Sequence, residues 1–173
     1  MKSILKAESP KSCEQIANGE KTMLLSKIRP KLETPFKVYI YETKGRYVKF
    51  VQGAHTKYGY GRGKVIGEFV CDEVVTDTAG QFADRFRKEG KLTLDEQRKY
   101  GGNKPLYGWH ISELKIYDQP KELSEFKKAG FMTEEQWLYA LYPNTHCHYA
   151  AWAKKFEITR PPQSWAYVEE LEE

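Results

Sequence analysis

Ile16-Ala17-Asn18-Gly19-Glu20-Lys21-Thr22 joins a short helix to a strand. Just upstream, Ser9-Pro10 sets an N-cap hydroxyl before a proline at the first helical position, where its fixed φ and missing N–H cost nothing. Cys13, Ile16 and Ala17 form the apolar side of this helix, and Gly19 is the residue expected to end it in the left-handed conformation. Ser3 to Ala7 reads as a strand before the helix, and Thr22 to Leu25 resumes as a strand after it. Gly19, Glu20 and Lys21 therefore occupy a helix-to-strand turn, a place from which side chains point into a cleft.

Outward from this turn, residues 28–35 make a basic loop punctuated by prolines. Phe36-Lys37-Val38-Tyr39-Ile40-Tyr41 alternates with period two and predicts a strand. Residues 45–63 are rich in Gly, Tyr, Lys and Arg, and predict a strand at Tyr47 to Val51 followed by a mobile loop. Lys64 to Cys71 predicts another strand, with Val65, Gly67, Phe69 and Cys71 on one face. From Thr76 to Gly102 the pattern is helical: Phe82 and Phe86 are four apart, and Thr93-Leu94-Asp95-Glu96 is a capping box. Leu106 to Ile111 and Leu114 to Tyr117 return to strand character, and Pro120 to Phe126 reads as one helical turn or a docking strap. A second capping box, Thr133-Glu134-Glu135-Gln136, opens a helix carrying Trp137, Leu138, Leu141 and Tyr142, and Ser164 to Val168 reads as a closing strand. Strands separated by helical inserts predict an α+β domain built around a small, strongly bent barrel. One domain over residues 1–173 is expected.

The chain has 173 residues, 40% of them hydrophobic and 14% aromatic, a composition that excludes a disordered tail. Twelve tyrosines suit half-buried faces and binding surfaces, because the ring is apolar and its hydroxyl is not. Charge is unevenly placed. Residues 1–66 hold 14 Lys and Arg against 5 Asp and Glu, a surplus of +9, whereas residues 67–173 hold 14 against 19, or −5. A basic half predicts a polyanion partner, since neutralising phosphates supplies most non-specific nucleic-acid affinity. No stretch approaches the roughly 20 apolar residues that span a bilayer, so no membrane role is expected. Three scattered cysteines, 13, 71 and 147, suit reduced thiols and a cytoplasmic location. His146-Cys147-His148 is a single His-x-His pair without a second ligand pair, so neither metal nor cofactor is expected.

Four segments together resemble the ASCH family of bacterial and phage proteins, within the PUA-like superfamily. They are Ile16 to Thr22, Pro35 to Tyr41, Gly63 to Asp72 and Leu106 to Phe126; Thr159 to Glu170 resembles members of the group as well. The regions near 45–62, 75–104 and 127–158 are left as variable inserts. The resemblance implies a PUA-like pseudobarrel, a bent barrel with a helix beside a cleft. It also implies RNA or modified-base binding in some relatives, hydrolysis of acylated cytidine nucleosides in a few, and nuclease activity proposed for others. The family's cleft signature is GxKxxExR, with Thr in place of Glu in the hydrolase-like branch. Gly19 and Lys21 match it; Leu24 and Ser26 replace the Glu or Thr and the Arg.

These residues lead to an expected function. The first expectation is binding of RNA or single-stranded nucleic acid in a basic cleft beside the Gly19–Lys21 turn. Lys21, Ser26, Lys27, Arg29 and Lys31 would line one side, and Arg46, Tyr47, Lys49, Tyr58, Tyr60 and Arg62 form a basic-aromatic tract that holds backbone and stacks bases. Trp109 and Gln163 lie in family-like segments and join the candidate list. The alternative is a small amidohydrolase using Lys21 with Glu68 or Thr22; Leu24 and Ser26 weigh against it. A third reading is an interaction module from a mobile element whose acidic C-terminal half contacts a host protein, an idea motivated by the inserts at 75–104 and 127–158.

Overall fold

The computed structural model describes residues 2–77, 80–133, 135–136 and 149–171. The strands are β1 (Lys2–Glu8), β2 (Met23–Ser26), β3 (Phe36–Glu42), β4 (Arg46–Gln52), β5 (His55–Tyr60), β6 (Val65–Cys71), β7 (Val74–Asp77), β8 (Leu106–His110), β9 (Ser112–Lys121) and β10 (Trp165–Glu169). The helices are α1 (Pro10–Ala17), α2 (Ala83–Gly90), α3 (Leu94–Gly101) and α4 (Tyr149–Phe156), with one 3₁₀ turn at Leu123–Glu125.

Five strands form a sheet in the order β10-β1-β3-β6-β9, three form a second in the order β2-β8-β7, and β4 and β5 form a separate hairpin. The expected closing strand pairs with the first: β10 runs antiparallel to β1, with Leu5 opposite Ala166. β1 and β3 are parallel, which requires the crossover through α1 and β2.

Alternation in β3 makes the large sheet two-faced. Phe36, Val38 and Ile40 point to a core shared with Ile4 of β1, Leu24 of β2, Phe69 and Cys71 of β6 and Trp109 of β8. Residues of both sheets thus meet in one interior, the bent arrangement the sequence predicts. Tyr39 and Tyr41 point the other way, into a second cluster with Leu5, Val65, Phe126, Ile158 and Val168. The outer face of the small sheet is covered by α2, whose Phe86 packs with Met23, Leu25, Val75 and Leu106.

Three elements differ from the sequence reading. Val65 does not share a face with Phe69: the β3–β6 register shifts between Ile40 and Tyr41, Ile66 is the extra residue, and Val65 turns to the outer cluster. The segment after Gln52 is a second strand rather than a loop, closing the β4–β5 hairpin. Val74–Asp77 is a strand within the stretch that reads as helical, held by pairing with β8. Both capping boxes form: Thr93 with Glu96, and Thr133 with Gln136. The expectation of a helix carrying Trp137, Leu138, Leu141 and Tyr142 falls outside the described residues, as do His146, Cys147 and His148. No helix among the described residues is long and apolar enough to cross a membrane.

Candidate functional site

The helix-to-strand turn forms as the sequence predicts. Ser9 Oγ accepts from the Ser12 N–H at the start of α1, Pro10 follows it, and Gly19 takes a φ of +73° after the last turn. The N–H groups of Glu20 and Lys21 both bond to the Gln15 carbonyl, which turns the chain back and aims Lys21 toward β1.

Lys21 is not an exposed turn lysine; it is 6% exposed at the floor of a cavity of about 610 Å³. The floor is completed by residues that continue the inward face of β1. Ile4 belongs to the core, and Lys6 and Glu8 follow it at period two, where the barrel interior opens into the cavity. Lys6 Nζ lies 3.2 Å from Glu8 Oε1, and Lys21 Nζ lies 3.8 Å from Glu8 Oε2. Ser12 Oγ donates to Glu8 Oε2 at 2.6 Å and accepts from Lys21 Nζ at 2.7 Å. Two ammonium groups thus face one carboxylate, and the floor carries an excess positive charge.

Burial pulls the Lys21 amine below its ordinary range, and Glu8 only partly restores it. Burial alone would push the Glu8 carboxyl up; Lys6, Lys21 and the Ser12 hydroxyl together outweigh it and hold the carboxyl below its usual value. Cys13 lies behind this cluster, its thiol raised by burial and by the Glu8 and Glu42 carboxylates, so it stays protonated.

The walls come from distant segments. Lys11 and Gln15 line the cavity from α1, Ser26 and Lys27 from the end of β2, and Gln163 and Ser164 from the turn before β10. Lys91, Leu92, Glu96 and Tyr100 line it from the insert that holds α3. The Lys27 ammonium lies 4.7 Å from the centre of the Tyr100 ring, a cation–π contact that ties this insert to the cleft.

No protein-family profile matches the chain, and no curated protein matches it either. The fold is similar to solved structures of ASCH from Zymomonas mobilis. For that protein the TM-score is 0.58 at 16% identity, over 97% of this chain and 88% of the other. Two mutant forms of it give the same TM-score at 15% identity, over 97% of this chain and 91% or 89% of theirs. The chain has the ASCH fold.

Within this ASCH fold the two departures from the cleft signature have plain physical causes. Leu24 is fully buried in the core, so its position feeds the barrel interior rather than the cavity. Ser26 lines the cavity, but its hydroxyl is committed to the Ile28 carbonyl at 2.9 Å. Thr22 is not among the lining residues; its backbone bridges Glu89 and Ile111. Glu68 is turned away from Lys21, on the opposite side of β6 from Phe69. There Tyr117 donates to it at 2.5 Å and Lys37 stands 3.9 Å off. The carboxylate beside Lys21 in this ASCH fold is Glu8.

Trp109 is fully buried, stacked edge-on against Phe36 and Trp165, so it is a core residue and not a ligand contact. Arg29 and Lys31 are exposed on the loop beyond Lys27 and do not line the cavity. Arg46, Tyr47, Lys49, Tyr58 and Tyr60 sit together on the hairpin, which leans on α1 through the Lys49–Glu14 pair at 3.1 Å. Arg46 lies 4.5 Å over the Tyr58 ring. Arg62 follows the hairpin, 3.8 Å from Glu42.

Sequence reasoning missed Lys6, Glu8, Ser12 and the insert residues of the wall. The signal for the first two was present: a Lys and a Glu at the inward-facing positions of a strand whose Ile4 enters the core.

Proposed function

We propose that the protein binds RNA or another single-stranded nucleic acid, with its phosphates along the rim of the cleft and its bases against the hairpin. The observation that carries this reading is one-sided charge. Between Glu42 and Glu68 the chain holds six Lys and Arg and no Asp or Glu, and this stretch contains the hairpin. Val48, Phe50, Tyr58 and Tyr60 of the hairpin are exposed beside those cations. Stacking surfaces interleaved with lysine and arginine are what single-strand binders require, because every base offers a π-face and every linkage a charge. Lys11, Lys27 and Lys91 extend the positive surface around the cavity mouth. Lys21 acts in this reading as fixed positive charge at the floor, since its ammonium is already engaged by Ser12 and Glu8.

Fluorescence anisotropy with labelled single-stranded RNA and DNA, at low and high salt, tests the proposal. Binding is expected to weaken steeply with salt, and Lys11→Glu with Lys27→Glu to weaken it further. Salt-insensitive binding, or none with any oligomer, overturns the reading.

A further inference from the structure

Resting on the binding proposal above, we infer that the cleft floor seats the end of the strand, taking its terminal phosphomonoester over Lys6 and Lys21. Lys6 is the key residue. Its side chain is 4% exposed and lines the cavity, yet Glu8 at 3.2 Å is its one partner among the described residues. An ammonium carries three N–H donors, and a buried donor without an acceptor is costly. Lys6 therefore offers donors to an acceptor that enters the cavity. Lys21 is placed differently: Ser12 and Glu8 already engage it, so it contributes mainly charge.

The charge of the floor selects among phosphates. Lys6 and Lys21 face the single carboxylate of Glu8, which leaves a surplus of one positive charge. The other carboxylate in the lining, Glu96, accepts from the N–H and the hydroxyl of Thr93, both at 2.8 Å, and so serves the cap of α3. A phosphomonoester carries about −1.5 to −2 near neutral pH, whereas a phosphodiester within a strand carries a single negative charge. The surplus on the floor thus meets the extra charge that only a strand end provides.

Shape points the same way. Lys11, Lys27 and Lys91 at the walls are exposed, whereas Lys6 and Lys21 are buried at the floor. A phosphodiester has a nucleotide on each side, so lowering it to the floor brings two nucleotides into the cavity, one entering and one leaving. A terminal phosphomonoester has one ester link and brings in one nucleotide. The cavity volume of about 610 Å³ lies in the range that encloses a single small molecule, which suits one nucleotide and not two with their linkage. Gln163 and Ser164 set an amide and a hydroxyl on the wall, neutral partners for phosphate oxygens or the terminal sugar. Either end of a strand can carry this group, so the test has an arm for each.

Fluorescence anisotropy of the full chain with an internally labelled single-stranded RNA of one sequence tests the inference. Its ends are prepared as hydroxyls, as a 5′-phosphate, as a 3′-phosphate, and as each phosphate capped by a propyl ester. At least one phosphorylated form is expected to bind about tenfold tighter than the hydroxyl form, the gain of a charge-assisted hydrogen bond in a buried setting. Its propyl ester is expected to bind like the hydroxyl form, because a second ester link removes charge and adds bulk at the floor. Lys6→Met is expected to bring the ratio between phosphate and hydroxyl ends close to one. Equal affinity for hydroxyl and both phosphate ends overturns the inference and leaves the binding proposal standing. Undetectable binding of every form overturns both. An unchanged ratio in folded Lys6→Met also overturns the inference. If that variant does not fold, the propyl ester decides in the unaltered chain: binding as tight as the free phosphate overturns the seat.

Discussion

Glu8 serves two lysines, Lys6 and Lys21, and that ratio governs how the cleft floor responds to mutation and to pH. Glu8→Gln keeps the shape but leaves two buried ammonium groups without a counter-charge. Breaking a buried pair from one side costs about 3 kcal/mol, which a urea melt at neutral pH measures as a lower midpoint with an unchanged slope. The pH dependence has a definite sign. The folded carboxyl titrates below its ordinary value of 4.5, so between those values the unfolded chain binds the extra proton. The stability Glu8 contributes is complete above that ordinary value and is lost as pH falls through the folded one. The unaltered protein should therefore lose urea resistance as pH falls below 4.5, and Glu8→Gln should start lower and fall less. Lys21 acts with the same sign at the alkaline end, where its lowered amine makes stability rise as pH climbs toward 10.5. Gly19→Ala forces a side chain to a φ of +73° and should cost about 1 kcal/mol by the same melt. Lys21 and Gly19 were readable as sequence because a turn has local chemistry. Glu8 left a signal at an inward-facing position of β1, but its pairing with Lys21, like the place of Ser12, exists only once β1 lies beside α1.

At the scale of elements, β1, α1, β3 and β10 were legible because their apolar spacing or caps are local and unambiguous. The outer position of Val65 was not, because one extra residue at Ile66 inverts the face of what precedes it and no pattern announces the bulge. β7 was hidden because Val74 to Asp77 is only four residues long, and its partner β8 begins at Leu106. The hairpin was half legible: β4 is visible at Tyr47 to Val51, but β5 reads as a loop and the hairpin's exposure has no local signal. Val51 is 64% exposed and Tyr60 70%, so β4 and β5 contribute little to either core. The hairpin's ends are already joined, since the Gly61 N–H donates to the Gly45 carbonyl at 2.8 Å. Its Lys49–Glu14 pair is exposed on both sides, a kind worth about 1 kcal/mol or less. Replacing residues 46–60 by two glycines should therefore shift the melting temperature by no more than about 5 °C in a calorimetric scan. A collapse of the transition would show instead that the hairpin braces α1.

Across the whole molecule the decisive property is where charge collects relative to the cavity. The acidic surplus of residues 67–173 does not cancel the basic surplus of residues 1–66, because the cleft and hairpin draw their cations mainly from the first part. Lys91 is the addition from the later insert, and it joins the same rim. This arrangement predicts two separable electrostatic footprints for one bound strand. Lys11, Lys27 and Lys91 form the first, and Arg46, Lys49 and Lys57 form the second, with Lys57 5.7 Å over the Phe50 ring. If each cation displaces one counterion from single-stranded nucleic acid, the logarithm of affinity should fall against the logarithm of salt with a slope of about −4. The chain lacking residues 46–60 should give about −2, since half of those contacts are gone. Neutralising the rim instead should leave a similar residual slope but a different dependence on base composition, because the aromatic rings stay with the hairpin. Equal slopes before and after excision would confine the strand to the cavity rim. A slope that vanishes on excision would place all the phosphates on the hairpin and leave the cavity to a smaller ligand.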